Sequence, residues 1–426
     1  METKNRLRTL LLALALTSVS SACLAENALR NEHFHFSGFA TLGLTKSGNE
    51  DLGFHRDQIS VPVYDGDWSF AADSMVGLQF DFNANEKFGG GVQLVGKDRT
   101  VDSFENSVGW AFLRYRINPD WTVRAGRLRF DLFMLSEYLD VGFAYLWARP
   151  PSEFYTLGTF DSYDGADLTW STLVGEGTLR TKIFAGSSKT NASSQGNIVD
   201  IELNDIIGTT ITWESEHWQL RFSASDNKLG EKGDYFLGTE PLAGYLQLLT
   251  PLWPEATSII DRLYVSDPHI RYYALGAAYF NNPWQIQTEL SFFDSEVDLY
   301  SSQLNGYLSV GYRINDFTPY VMVASAQSQD DRVLVPDAPV FDTNPVLTGQ
   351  LAAIQQASQT AYDGVRVDQK SLTAGVRWAL GYNLALKMQW DHAWIGANSA
   401  ALWDVRTLPA QDEEINTFSI NLNCIF

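Results

Sequence analysis

From about residue 34 to the last residue, the chain repeats one pattern: stretches of about ten residues in which apolar and polar side chains take turns. In Met75 to Asn83, the residues Val76, Leu78, Phe80 and Phe82 share one parity and Gly77, Gln79, Asp81 and Asn83 the other. Gln285 to Phe292 sets Ile286, Thr288, Leu290 and Phe292 against Gln285, Gln287, Glu289 and Ser291, and the same split runs through Asn305 to Ile314 and Lys370 to Leu380. A period of two belongs to an extended strand, and about ten residues is what a tilted strand needs to cross a bilayer with one face in lipid and the other in a lumen. Past the first 25 residues no stretch approaches the run of apolar residues that a membrane-spanning helix requires. The 13 Trp, 18 Tyr, 25 Phe and 32 Gly suit strands, interfacial anchors and turns.

Sixteen such segments are expected, at about 34–46, 74–85, 88–97, 107–118, 121–130, 164–174, 177–187, 206–215, 217–226, 271–281, 284–293, 304–315, 318–327, 371–381, 384–395 and 416–426. Short turn-forming links such as Asn118-Pro119-Asp120, Asn281-Asn282-Pro283 and Gly381-Tyr382-Asn383 alternate with longer polar stretches near 47–73, 98–106, 131–163, 188–205, 227–270, 294–303, 328–369 and 396–414. The even count and adjacent ends let an antiparallel sheet close, which leaves no unpaired backbone edge in lipid. The expected fold is therefore all-β, a transmembrane antiparallel barrel of sixteen strands, and a barrel of that size leaves an aqueous lumen.

The first residues carry Lys4, Arg6 and Arg8 ahead of an apolar run and small residues before Glu26, so residues 1–25 are read as a cleavable signal peptide and 26–426 as the barrel domain. A lipoprotein reading of Cys23 needs a bulky aliphatic residue where Ser20 stands. Without the leader Cys424 is the only cysteine, which excludes a disulfide or a cysteine-ligated metal within one chain. The net charge of −21 speaks against nucleic acid as a partner, and the acidic residues, concentrated in the long links, serve more readily to solvate the surface than to hold cations. Among six histidines only His33-x-His35 has a ligand-like spacing, and no His stands in a recognisable nucleophile set. No metal, no cofactor and no enzymatic activity are expected. Trp121, Trp218, Trp284, Tyr382 and Trp394 fall near strand ends, as in an interfacial girdle.

The last strand places Phe418, Ile420, Leu422, Cys424 and Phe426 on one face. It resembles the recognition strand of bacterial outer-membrane proteins, and that resemblance implies barrel-assembly machinery as a partner. The third long link, 131–163, follows the fifth strand after Ala125-Gly126-Arg127 and leads into Asp164-Gly165-Ala166-Asp167-Leu168. This order is similar to that of the sixteen-stranded porins of Gram-negative outer membranes, whose third loop folds into the barrel and narrows it. The resemblance implies a homotrimer in lipid and lipopolysaccharide, passing small hydrophilic solutes by passive diffusion. The run Ser136 to Pro151 departs from the general porins, so a channel specific for a sugar, a carboxylate or another nutrient stands as the alternative.

A cation in a barrel strand has to face water. Parity then turns Arg114 and Arg116 inward, with Leu113, Tyr115 and Ile117 to lipid, and Arg127 and Arg129 inward with Leu128 and Phe130 to lipid. Arg124 faces out unless Gly126 marks a bulge. With Asp131, Glu137, Asp140 and Glu153 of the link, the four inward arginines form the candidate pore constriction, acting by a transverse field or by tethering the link. Arg313, Arg377 and Lys387 are secondary candidates on the opposite wall. The apolar run Leu242 to Trp253 is expected to be buried in the vestibule or against a neighbouring subunit, and Leu347 to Tyr362 to form a short amphipathic helix.

Overall fold

The structure, a computed structural model, describes residues 33–426 apart from 58–59, 61, 64–65, 67, 100–102, 156–159, 195–196, 231–239, 265–267, 400 and 406–410. The expected leader, 1–25, lies outside the described residues. One sheet contains seventeen segments, of which Trp68–Ser69 is a two-residue piece beside the first strand. The others are β1 (Phe34–Ser47), β2 (Met75–Asn83), β3 (Phe88–Lys97), β4 (Val108–Arg116), β5 (Trp121–Arg129), β6 (Ser162–Val174), β7 (Gly177–Ser194), β8 (Asn197–Glu214), β9 (Trp218–Gly230), β10 (His269–Asn281), β11 (Trp284–Ser295), β12 (Gln303–Tyr312), β13 (Phe317–Ser328), β14 (Asp368–Ala379), β15 (Leu384–Ile395) and β16 (Glu413–Ile425). Each pairs antiparallel with its sequence neighbours, and β1 pairs with β16 from Phe39↔Ile425 to Ser47↔Thr417, so the ring is closed at sixteen strands. The Phe426 amide donates to the Gly38 carbonyl and the Gly38 amide to the Phe426 carbonyl, which fastens the seam at its end.

The two faces follow the alternation. Leu78, Phe80, Leu290, Phe292, Leu308, Val321, Phe418 and Ile420 are exposed on the outside, while Gln93, Glu289, Ser291, Ser309, Thr373, Asn421 and Asn423 are buried on the inside. At the short-turn rim, aromatic residues meet across strands: Trp121 with Trp170, Trp218 with Tyr279, Trp284 with Tyr312 and Phe317 with Trp378, at ring-centroid separations of 6.2, 4.7, 4.9 and 5.3 Å. Such pairs suit the amphipathic boundary of a bilayer. The tight turns there use left-handed backbone at Gly175 (φ 62°) and Asn315 (φ 55°), a region that favours Gly and Asn.

One stretch differs from the expected loop assignment, and two further features belong to the links. The stretch 188–205, read as a loop, is hairpin: β7 and β8 stay paired out to Asn197↔Ser194, across a bulge between Leu203 and Ile206. A ladder beyond the lipid has no need of one greasy face, so pairing persists where the alternation fades. The two long links after β9 and β13 contain helices, α1 (Glu240–Leu249), α2 (Ala256–Leu263) and α3 (Pro345–Gly364), the last spanning the expected amphipathic stretch. Finally, the inward-facing residues of the wall are not uniformly polar. Leu246, Trp253, Leu263 and Leu351 of these links join Phe133, Trp147 and Phe154 of the link after β5, and Tyr272, Tyr307, Tyr320 and Met322 of the wall, in one buried cluster. The apolar run Leu242 to Trp253 is thereby partly covered within the chain, although Tyr245 and Leu248 stay exposed.

Candidate functional site

The link between β5 and β6 is held by the polar face of the wall. Lys387 stands on β15 between Leu386 and Met388 and is fully buried; its ammonium donates to the carbonyls of Gly142, Tyr145 (2.6 Å) and Trp147 (2.7 Å). Three acceptors meet the three donors of an ammonium. Beside it, the Ala148 carbonyl accepts from Asn421 Nδ2 (2.8 Å) and the Ala148 amide donates to Gln389 Oε1 (2.9 Å). Further round the barrel Trp147 Nε1 donates to Ser309 Oγ (2.6 Å), and the Met134 amide to Glu289 Oε2 (2.8 Å), a carboxylate that also accepts from the Tyr155 and Tyr307 hydroxyls. The approach is close: a Cβ on Gly142 would lie 2.4 Å from Asn423 Nδ2, so a larger residue there requires Asn423 to shift.

The charges form three groups. Asp131 is paired with Lys182 of β7 and Arg221 of β9, and Lys182 also reaches Glu137 at 3.3 Å. Asp140 is paired with Arg129, and Lys97 of β3 joins Asp140 (3.6 Å), Asp57 (2.9 Å) and Asp161 (3.5 Å). Arg149 bridges Asp391 of β15 (2.6 Å) and Asp73 (3.5 Å), and its guanidinium lies 4.1 Å from the Phe54 ring centroid. Burial by itself would push the Asp131 carboxyl up, but Lys182 and Arg221 outweigh it and hold it well below the usual carboxylate range. Burial likewise opposes ionisation of Asp140, and Arg129, Lys97 and Arg56 outweigh it. Both acids are thus ionised tethers rather than proton donors.

Of the eight candidate constriction residues, Arg129, Asp131, Glu137 and Asp140 enter these groups. The others stand elsewhere. Arg114 lies on the inward face but near the short-turn rim, where it donates to Asn83 Oδ1 at 2.5 Å, and Arg116 is exposed at the same end of β4. Glu153 is buried and accepts from Gln369 Nε2 (2.8 Å). Arg127 requires a correction. The register Arg114↔Arg124 puts Arg124 on the inward face, where it binds Asp167 (2.6 Å) and reaches Glu137 (3.6 Å). Arg127, opposite Ala111 and Asp164, shares the face of exposed Leu113 and pairs with Asp164 (2.9 Å) and Glu105 (3.1 Å). Leu128 and Phe130, expected in lipid, are buried with Tyr163 and Phe184. An arginine paired with two acids tolerates the outer face, which is why type alone misassigned the parity. Among the secondary candidates, Arg377 donates to the Phe143 carbonyl (3.2 Å), whereas Arg313 folds back onto the Asn315 carbonyl of its own turn (3.1 Å).

Lys97, Lys182, Arg221 and Arg149 went unrecognised in the sequence. Lys182 beside exposed Ile183, and Arg221 between exposed Leu220 and Phe222, carry the same parity signal as Lys387 and were legible by it. Arg149, in the irregular link, has no such signal.

No family model and no curated protein matches this chain. Among solved structures it is similar to OmpF of Salmonella typhi, in a complex with daunomycin (14% identity over 92% of this chain and 97% of that chain, TM-score 0.53). It is similar also to an anion-selective porin from Comamonas acidovorans (12%, 92% and 99%, TM-score 0.52) and to the outer membrane channel DcaP of Acinetobacter baumannii (10%, 92% and 97%, TM-score 0.51). The fold is that of the sixteen-stranded porins.

Proposed function

We propose that the protein is an outer-membrane porin of a Gram-negative bacterium, exported on the leader 1–25 and assembled as a trimer, whose lumen passes small hydrophilic solutes and ions. The link after β5 narrows that lumen. The observation that carries this reading is the set of buried ion pairs between the link and inward-facing side chains of β3, β7, β9 and β15. Charges are tolerated inside a transmembrane barrel only where they are paired or wet. Planar-bilayer recording tests it: ohmic current without saturation is expected, and absence of current through folded protein overturns it.

A substrate-specific channel is the second reading. It is favoured by the apolar cluster that fills one side of the interior and leaves less room for water than an open barrel has. Saturable block of the current by one sugar or carboxylate, with no block by others of equal size, would establish it.

A further inference from the structure

Near the short turns of β12 to β16, the inward-facing side chains fall on one rung of the sheet. Pairing of Gly311 with Tyr320 and of Ile314 with Phe317 sets Arg313 opposite Thr318, and the rung runs on through Arg377 and Lys387 to Asn421. Arg377 and Lys387 are direct neighbours, and Arg313 stands two strands from Arg377, about 10 Å away at the backbone. Like charges set opposite each other destabilise a sheet, and no Asp or Glu stands on this rung to offset them.

The three cations are met differently. Lys387 is enclosed by its three carbonyls and has no donor left for the lumen. Arg313 is exposed and donates from Nε to a carbonyl of its own turn. Arg377 donates from Nη2 to the Phe143 carbonyl with its guanidinium 4.9 Å from the Phe143 ring centroid, and its buried Nε has no acceptor. The charge that acts on Arg377 is the like charge of Arg313, and those that act on Lys387 are Arg377 and Arg56. Among the described residues none of the three makes an ion pair, whereas Arg129, Lys182, Arg221 and Arg149 each hold an acid.

We infer that Arg313 and Arg377 bind a small solute bearing a carboxylate, its anionic end on the two guanidinium groups and its apolar body against the Phe143 ring. A guanidinium is a planar fork of N–H donors that matches a carboxylate. The ring of Phe143, half-buried beside it, favours an anion with an apolar body over a bare inorganic ion. Lys387 adds charge to the site without touching the ligand. The inference rests on the channel reading in one respect, a wet lumen through which the solute arrives.

Titration of the full chain in a nonionic detergent, read by broadening of the carboxyl resonance of isotope-labelled butyrate, tests it. The broadening is expected to saturate, to persist in excess butyramide, and to be displaced about tenfold less well by inorganic phosphate than by unlabelled butyrate. Arg377→Gln and Arg313→Gln are each expected to weaken butyrate binding about tenfold, as the loss of a charged hydrogen bond does. Arg180→Gln, which removes an exposed cation of β7 away from the rung, is expected to leave it unchanged. No saturable broadening, equal displacement by butyramide or phosphate, binding unchanged in Arg313→Gln, or an equal loss in Arg180→Gln would overturn the inference. Arg313 is exposed and holds only a turn carbonyl, so its variant carries the test should Arg377→Gln fail to fold. Current without butyrate binding sinks this inference alone, and butyrate binding without current sinks only the channel reading.

Discussion

Lys387 stands at a parity where a cation must find either water or acceptors, and it finds the backbone of the link after β5. Replacing it with methionine removes all three hydrogen bonds and leaves buried carbonyls unpaired, each worth about 1–3 kcal/mol. Lys387→Met is expected to destabilise the protein by about 3 kcal/mol in denaturant titration, and to open the link to protease between 140 and 150 while the barrel stays resistant. Asp131 and Asp140 set a second expectation. Their carboxyls titrate below the ordinary value of 3.8, so the tethering is complete above that value and lost as pH falls beneath it. On the proposed channel reading, single-channel current is therefore expected to be quiet from neutral pH down to about pH 5 and to become noisy only in stronger acid. Noise that sets in near neutrality would contradict the ion pairs.

At the scale of the element, β5 shows how a strand takes its faces from its neighbours. Which of its residues look inward came from pairing with β4 and β6, not from where the arginines stand, and at its end Leu128 and Arg129 are both buried although they are consecutive. Gly126 makes this local arrangement possible: its φ is +133°, and a Cβ would sit 2.3 Å from the Ala111 carbonyl oxygen. Gly126→Ala is expected to cost about 1–3 kcal/mol, read as a lower yield of the folded, heat-modifiable form on gels. The hairpin β7–β8 makes the converse point, since its backbone pairing continues past the alternating region.

For the whole molecule, closure and filling are separate matters. The ring is closed by strand pairing throughout, while α1, α2 and α3 approach the link after β5 from the long-loop side and share its cluster through Leu246, Trp253, Leu263 and Leu351. A linker of Gly and Ser in place of 240–263 should leave the barrel folded and, on the proposed channel reading, raise single-channel conductance, because it removes buried side chains and no strand. Unchanged conductance would show that these helices lie off the conducting path.

Sixteen crossings, their order, the closed ring and most of the lipid face were determined by the sequence alone, because alternation is local: each strand such as Met75–Asn83 or Gln303–Tyr312 states its own two faces. The partners of Asp131, Asp140 and Lys387, the inward turn of Arg124 in place of Arg127, and the apolar cluster that joins the links to the wall were decided only by tertiary structure. Those contacts join residues as far apart as Lys387 and Tyr145, 242 positions along the chain. Nothing in a ten-residue period specifies which irregular segment will come to lie against a given wall.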